Sequence, residues 1–143
     1  LLGLDGRKMS KSYGNTIGLR EDTDSVAQKL RTMQTDPARV RRTDPGDPQK
    51  CPVWTLHEIY SDETTRKWAD QGCRSAGIGC LECKKPLIEK VVEEVGGMRK
   101  RAQEFEENPE IVRNIVAEGA EKARDAARAT LDDVRRAMHL RVD

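Results

Sequence analysis

Apolar residues along this chain recur mostly at intervals of three and four, the period of helices with one face turned inward. Val26, Leu30 and Met33 follow that spacing behind Asp22, Thr23 and Asp24, which offer N-caps. The helix they predict ends near Thr35, because Pro37 disfavours helical geometry in the residue before it. Val53, Leu56, His57 and Tyr60 share one side of a short helix over 53–59. A second is expected over 63–71, capped by Ser61 or Asp62. From Cys80 a long helix is predicted to about Val95, on the stripe Leu81, Leu87, Ile88, Val91, Val92 and Val95. Pro86 should restart or kink it, and Gly96 with Gly97 should break or bend it again. Asn108 and Pro109 form an N-cap and first-turn pair for a last helix. Its inward positions are Val112, Val116, Ala120, Ala123, Ala127, Leu131, Val134 and Met138, a pattern read as core packing.

The connections are equally marked. Residues 1–20 carry Gly3, Gly6, Gly14 and Gly18 and no helical apolar period, so they read as a loop with a short extended entry. The stretch 39–52 contains Asp44-Pro45-Gly46-Asp47-Pro48, which is turn, and 72–79 is a tight glycine-rich loop. The fold class is therefore mainly α: a glycine-rich loop followed by five or six helices, without an internal repeat.

Composition supports this. Of 143 residues, 36% are charged, and two Trp, two Tyr and one Phe are the whole aromatic supply, so Leu, Ile, Val, Met and Ala must build the core. The mean hydropathy of −0.79 fits long helices with solvated outer faces. A net charge of +1 means that any RNA contact depends on local basic clusters. Candidates are Arg39, Arg41 and Arg42; Lys84 and Lys85; and Arg99, Lys100 and Arg101, each of which also suits a plain solvated face. No apolar run reaches the ~20 residues of a membrane span, and no signal peptide opens the chain, which points to the cytosol. The start at Leu1 leads to the expectation that the chain was cut from a longer one.

Residues 8–12 read Lys-Met-Ser-Lys-Ser between Gly6 and Gly14. Two ammonium groups three residues apart, two hydroxyls and free backbone N–H groups suit a polyphosphate, and flanking glycines let such a loop move. Mobile lysines that meet a pyrophosphate leaving group best in the transition state lower the barrier to its departure.

Four cysteines, Cys51, Cys73, Cys80 and Cys83, make the pattern C-x21-C-x6-C-x2-C. In a cytosolic protein such a group suits metal ligation better than disulfides, and both zinc and a [4Fe–4S] cluster accept four cysteines. Spacing alone leans to zinc, while the Cys51-Pro52 step resembles ferredoxin-type motifs; free thiols are the third alternative. His57 and His139 are expected on the surface or a helix face, Trp54 and Trp68 packed around the cysteines, and the glutamate groups at 93–94 and 104–107 on solvated faces.

Lys8–Ser12 resembles the KMSKS signature of class I aminoacyl-tRNA synthetases. The flanks Gly3-Leu4-Asp5-Gly6 and Tyr13-Gly14-Asn15-Thr16-Ile17 resemble the bacterial tryptophanyl-tRNA synthetases, and so do Gly119–Arg124, Thr130 and Val134–Met138. Tyrosyl synthetases are near relatives with a different form of the lysine motif. The resemblance implies that 1–20 is the KMSKS loop segment of a nucleotide-binding catalytic domain and 21–143 an α-helical anticodon-binding domain. It implies ATP with Mg2+, L-tryptophan and tRNA(Trp) as substrates, a homodimeric parent, and a cytoplasmic ligase whose HIGH-type motif and amino-acid pocket lie outside this chain. Lys8 and Lys11 would contact the ATP phosphates, Lys11 with the leaving group, supported by Ser10 and Ser12, with Met9 packing to anchor the loop. Some members bind a [4Fe–4S] cluster through four cysteines, with a longest gap one residue larger than here, which shifts the cysteines toward the cluster and leaves zinc as the alternative. Arg74, Lys84 and Lys85 would then face the anticodon loop. The rival readings are a stand-alone iron–sulfur or zinc RNA-binding helical module, the equivalent part of a tyrosyl synthetase, and a purely structural helical domain.

Overall fold

A computed structural model describes residues 1–140. It contains five α-helices: α1 (Thr23–Thr32), α2 (Pro52–Tyr60), α3 (Glu63–Arg74), α4 (Cys80–Glu107) and α5 (Pro109–Ala137). Lys11–Tyr13 and Pro48–Lys50 form short 3₁₀ turns. One isolated antiparallel bridge pairs Leu2 with Lys8. The mainly α class is as the sequence predicts.

Helix starts follow their caps. Asp22 accepts from the backbone N–H groups of Asp24 and Ser25 at the head of α1, and Asp62 accepts from Thr65 at the head of α3. Pro52 and Pro109 occupy first-turn positions, where a missing N–H costs nothing.

The chain divides into two compact units, Leu1–Lys100 and a second from Arg101 onward. The core of the first joins Val26, Leu30 and Met33 to Val53 and Leu56 of α2 and to Leu87, Val91 and Val95 of α4. Leu4 and Ile17 pack against it, so the lysine loop is seated on the same core.

Three expectations need correction. Helix α3 continues through Gly72 and Cys73 to Arg74, so the loop before Cys80 is shorter than predicted. A side chain at Gly72 would meet Ile78 at 2.8 Å, so glycine here serves close approach rather than chain reversal. Helix α4 runs unbroken through Pro86, Gly96 and Gly97. Proline within a helix costs about 3 kcal/mol, but burying Leu87, Val91 and Val95 contributes roughly 1.5–3 kcal/mol each, and packing wins. In α5 the apolar stripe is not core: Val116 is 63% exposed and Leu131 49%, and no residue of the helix is buried.

Candidate functional site

The lysine loop is built around its only buried polar side chain. Asn15 is 3% exposed. Its Oδ1 accepts the Ser10 N–H at 2.8 Å, and its Nδ2 donates to Asp5 Oδ1 at 2.7 Å and to the Lys8 carbonyl at 3.2 Å. The Leu4 N–H donates to the Asn15 carbonyl, and the Met9 N–H to that of Leu1. Gly14 takes a left-handed φ of 63°, which closes the 3₁₀ turn behind Lys11 at little steric cost. Ser10 Oγ and Ser12 Oγ lie 2.8 Å apart, and Met9 is half-buried. Asp5 pairs with Arg7 at 2.7 Å, and the Arg7 guanidinium lies 4.6 Å from the centre of the Tyr13 ring. With the nearby charges thus occupied, Lys8 and Lys11 stand exposed and available to an anion. Asn15 was missed as a site residue; its signal was a polar residue just past the glycine that closes the turn.

The four cysteines come together. Cys51, Cys73, Cys80 and Cys83 line one partly open cavity of ≈ 20 Å³ with Thr35, Asp36, Arg39, Val53 and Lys84. Cys51 stands at the head of α2, Cys73 on the last turn of α3, and Cys80 and Cys83 on the first turn of α4. Among the described residues, no three His, Cys, Asp or Glu donors close around one ion position. Burial and then the neighbouring cysteines push the Cys83 thiol up to about 12. Burial also raises Cys51 and Cys73. Burial thus favours the protonated thiol at Cys51, Cys73 and Cys83, and a metal would bind there with loss of those protons.

Around them lies a polar shell that the sequence did not disclose. Arg39, placed on a solvated face by the sequence, is 9% exposed. Its Nη2 donates to the Ile78 and Arg42 carbonyls at 2.6 and 3.0 Å, its Nη1 reaches Cys73 Sγ at 4.0 Å, and its Nε has no protein partner. His57 is fully buried on the apolar face of α2 predicted for it beside Val53 and Leu56, with Nε2 3.4 Å from Cys83 Sγ and Nδ1 2.8 Å from Ser61 Oγ. Gly46 donates to the Cys73 carbonyl, and a Cβ there would lie 2.6 Å from Cys73 Sγ. Trp54 lines an adjoining space with Cys51, Cys73 and Cys83, whereas Trp68 is 41% exposed.

The basic candidates separate. Lys84 is buried, and its ammonium donates to the Arg31 and Met33 carbonyls that end α1. Arg74 is engaged by Asp70 at 3.0 Å and Asp47 at 3.6 Å. Lys85 is exposed. Arg41, Arg42 and Leu81 edge an open groove of ≈ 350 Å³ beside the cysteines, with Arg42 paired to Glu82 at 3.1 Å.

Residues 1–96 match the family described as tRNA synthetases class I (W and Y). The chain is 59% identical over 138 residues to a tryptophan–tRNA ligase of Ralstonia nicotianae, covering 96% of this chain and 34% of that protein. It is 45% identical over 141 residues to the Thermotoga maritima tryptophan–tRNA ligase, covering 98% of this chain and 43% of that protein. Among solved structures, tryptophanyl-tRNA synthetase from Campylobacter jejuni, complexed with ADP and tryptophan, superposes with a TM-score of 0.80 at 28% identity, over 97% of this chain and 43% of that one. The chain thus spans less than half the length of these relatives.

Proposed function

We propose, because the chain belongs to the class I tRNA synthetases of the tryptophan and tyrosine family, that it is the C-terminal part of a tryptophan–tRNA ligase. The observation that carries this reading is the lysine loop, with both ammonium groups facing solvent over a hydrogen-bonded seat. In the reaction, a carboxylate oxygen of L-tryptophan bonds to the α-phosphorus of ATP. The bond from that phosphorus to the bridging oxygen breaks, and Mg2+-pyrophosphate leaves with the electron pair. A ribose hydroxyl of the terminal adenosine of tRNA(Trp) then attacks the carbonyl of the tryptophanyl adenylate, forming the ester as the bond to AMP breaks and AMP leaves. Lys8 and Lys11 stabilise the charge that gathers on the leaving group, Lys11 most directly, while Ser10 and Ser12 support the phosphates and Met9 anchors the loop. The tryptophan pocket belongs to the portion of the enzyme outside this chain, and the parent acts as a cytoplasmic homodimer.

For the cysteines, our reading is a [4Fe–4S] cluster. Four thiols share one cavity without converging on a point. Four thiolates are the donor set that such a cluster takes, and zinc, the alternative, accepts the same set. Bound there, the cluster would supply a covalent tie between α2, α3 and α4. The chain's own residues complete the site: Arg39 faces Cys73, His57 faces Cys83, and Gly46 leaves room for the Cys73 sulfur. The helical surface then meets the anticodon loop of tRNA(Trp). Lys85 and Arg74 are the exposed cations for that contact, Arg74 held by Asp70, whereas Lys84 acts within the fold.

Tryptophan-dependent ATP–pyrophosphate exchange by the full-length enzyme tests the assignment. Lys11→Ala should lower its rate on the order of 10²–10³-fold while tryptophan binding is kept. Exchange stimulated by tyrosine instead of tryptophan, or unaltered by the substitution, would overturn it.

A further inference from the structure

We propose that Asn15 is a positioning residue for Lys8 and Lys11: its carboxamide locks the loop in the shape that turns both ammonium groups outward. The inference rests on the ATP role proposed above for those lysines. A carboxamide offers an acceptor and a two-proton donor, and this loop uses both. Oδ1 takes the N–H of Ser10, and Nδ2 gives to Asp5 before the lysines and to the Lys8 carbonyl between them. The Asn15 backbone carbonyl also takes the Leu4 N–H. One side chain beyond Lys11 thus ties down positions 5, 8 and 10, its own backbone carbonyl holds position 4, and the lysine side chains are left to project from a fixed frame.

Close alternatives fail on chemistry. Aspartate at 15 has no donor for Asp5 or Lys8 and would set one carboxylate against another at hydrogen-bond distance. Alanine removes the partner of the Ser10 N–H, of the Lys8 carbonyl and of Asp5 at once. Gly3 belongs to the same seat, since a Cβ there would lie 2.4 Å from Asn15 Cγ. Asp5 is held down to about 2, first by its bond from Asn15, so this acceptor stays ionised at any working pH.

The experiment uses full-length enzyme carrying Asn15→Ala, Asn15→Asp or the double exchange Asp5→Asn with Asn15→Asp. The double exchange reverses the direction of the 5–15 hydrogen bond while restoring it. Exchange kinetics should show kcat/KM for ATP falling on the order of 10²-fold in Asn15→Asp, as expected of misplaced catalytic groups. The KM for tryptophan should stay within about twofold, and the double exchange should recover at least about tenfold of the loss. Full activity in Asn15→Asp, no recovery in the double exchange, or an equal loss of tryptophan binding would each overturn the positioning role. A wild-type enzyme without tryptophan-dependent exchange would instead overturn the ATP reading beneath it.

Discussion

Glu21 shows how much one side chain can carry at the start of a helix. Burial works against its charge, but Lys29 at 2.6 Å, the Ser25 hydroxyl and the Gly18 N–H outweigh it, lowering its pKa from the ordinary 4.5 to about 2. Between those values the unfolded chain binds a proton that the folded chain does not, so acid drives unfolding. The stabilisation is complete above pH about 4.5 and disappears as pH falls to about 2. Glu21→Gln should therefore lower the urea midpoint at neutral pH, and the gap to wild type should close across that window; parallel curves down to pH 2 would contradict this. The residues that carry such effects were only partly legible. Lys8, Lys11 and the cysteines announce themselves by type and spacing. Arg39 and Lys84 do not, because what buries them is a partner distant in sequence: Lys84 meets carbonyls at positions 31 and 33, and Arg39 meets Cys73 and the Ile78 carbonyl.

Among the elements, helix starts were legible and helix interruptions were not. A cap acts within three residues, so Asp22, Asp62 and Pro109 mark their helices from sequence alone. Whether Pro86 breaks α4 depends on what the flanking turns bury, and Leu87, Val91 and Val95 pack against α1 and α2 residues that a local reading does not see. The proline nevertheless costs α4 a hydrogen bond to the Glu82 carbonyl. Pro86→Ala should restore it and raise unfolding stability by up to about 3 kcal/mol, seen as a higher urea midpoint. A lower midpoint would mean that the ring's own packing outweighs the missing bond.

On the scale of the whole molecule, the first unit is small for its task. Its core rests on eight buried apolar side chains, a modest store for a chain this charged, so a tie among α2, α3 and α4 would add much to it. Oxygen-free preparations should hold about four irons and four sulfides per chain, and chelating the iron should lower the thermal midpoint while leaving most helix intact. One zinc without sulfide would recast the site as a simple ion knot, and no metal at all would remove the ligand role of the cysteines. The second unit shows what pattern cannot tell. The α5 stripe has a sound helical period, yet period reports only that a helix has an apolar face, not which surface covers it.

Lys84 and Lys85 illustrate a consequence for modification chemistry. They are neighbours in sequence, yet one ammonium is held inside by two carbonyls at the end of α1 and the other lies in solvent. An acylating reagent or an acetyltransferase would therefore find Lys85 at once, and Lys84 only when α1 and α4 part. The degree of labelling at this pair then records how often that joint opens, with one lysine as the clock and its neighbour as the internal standard.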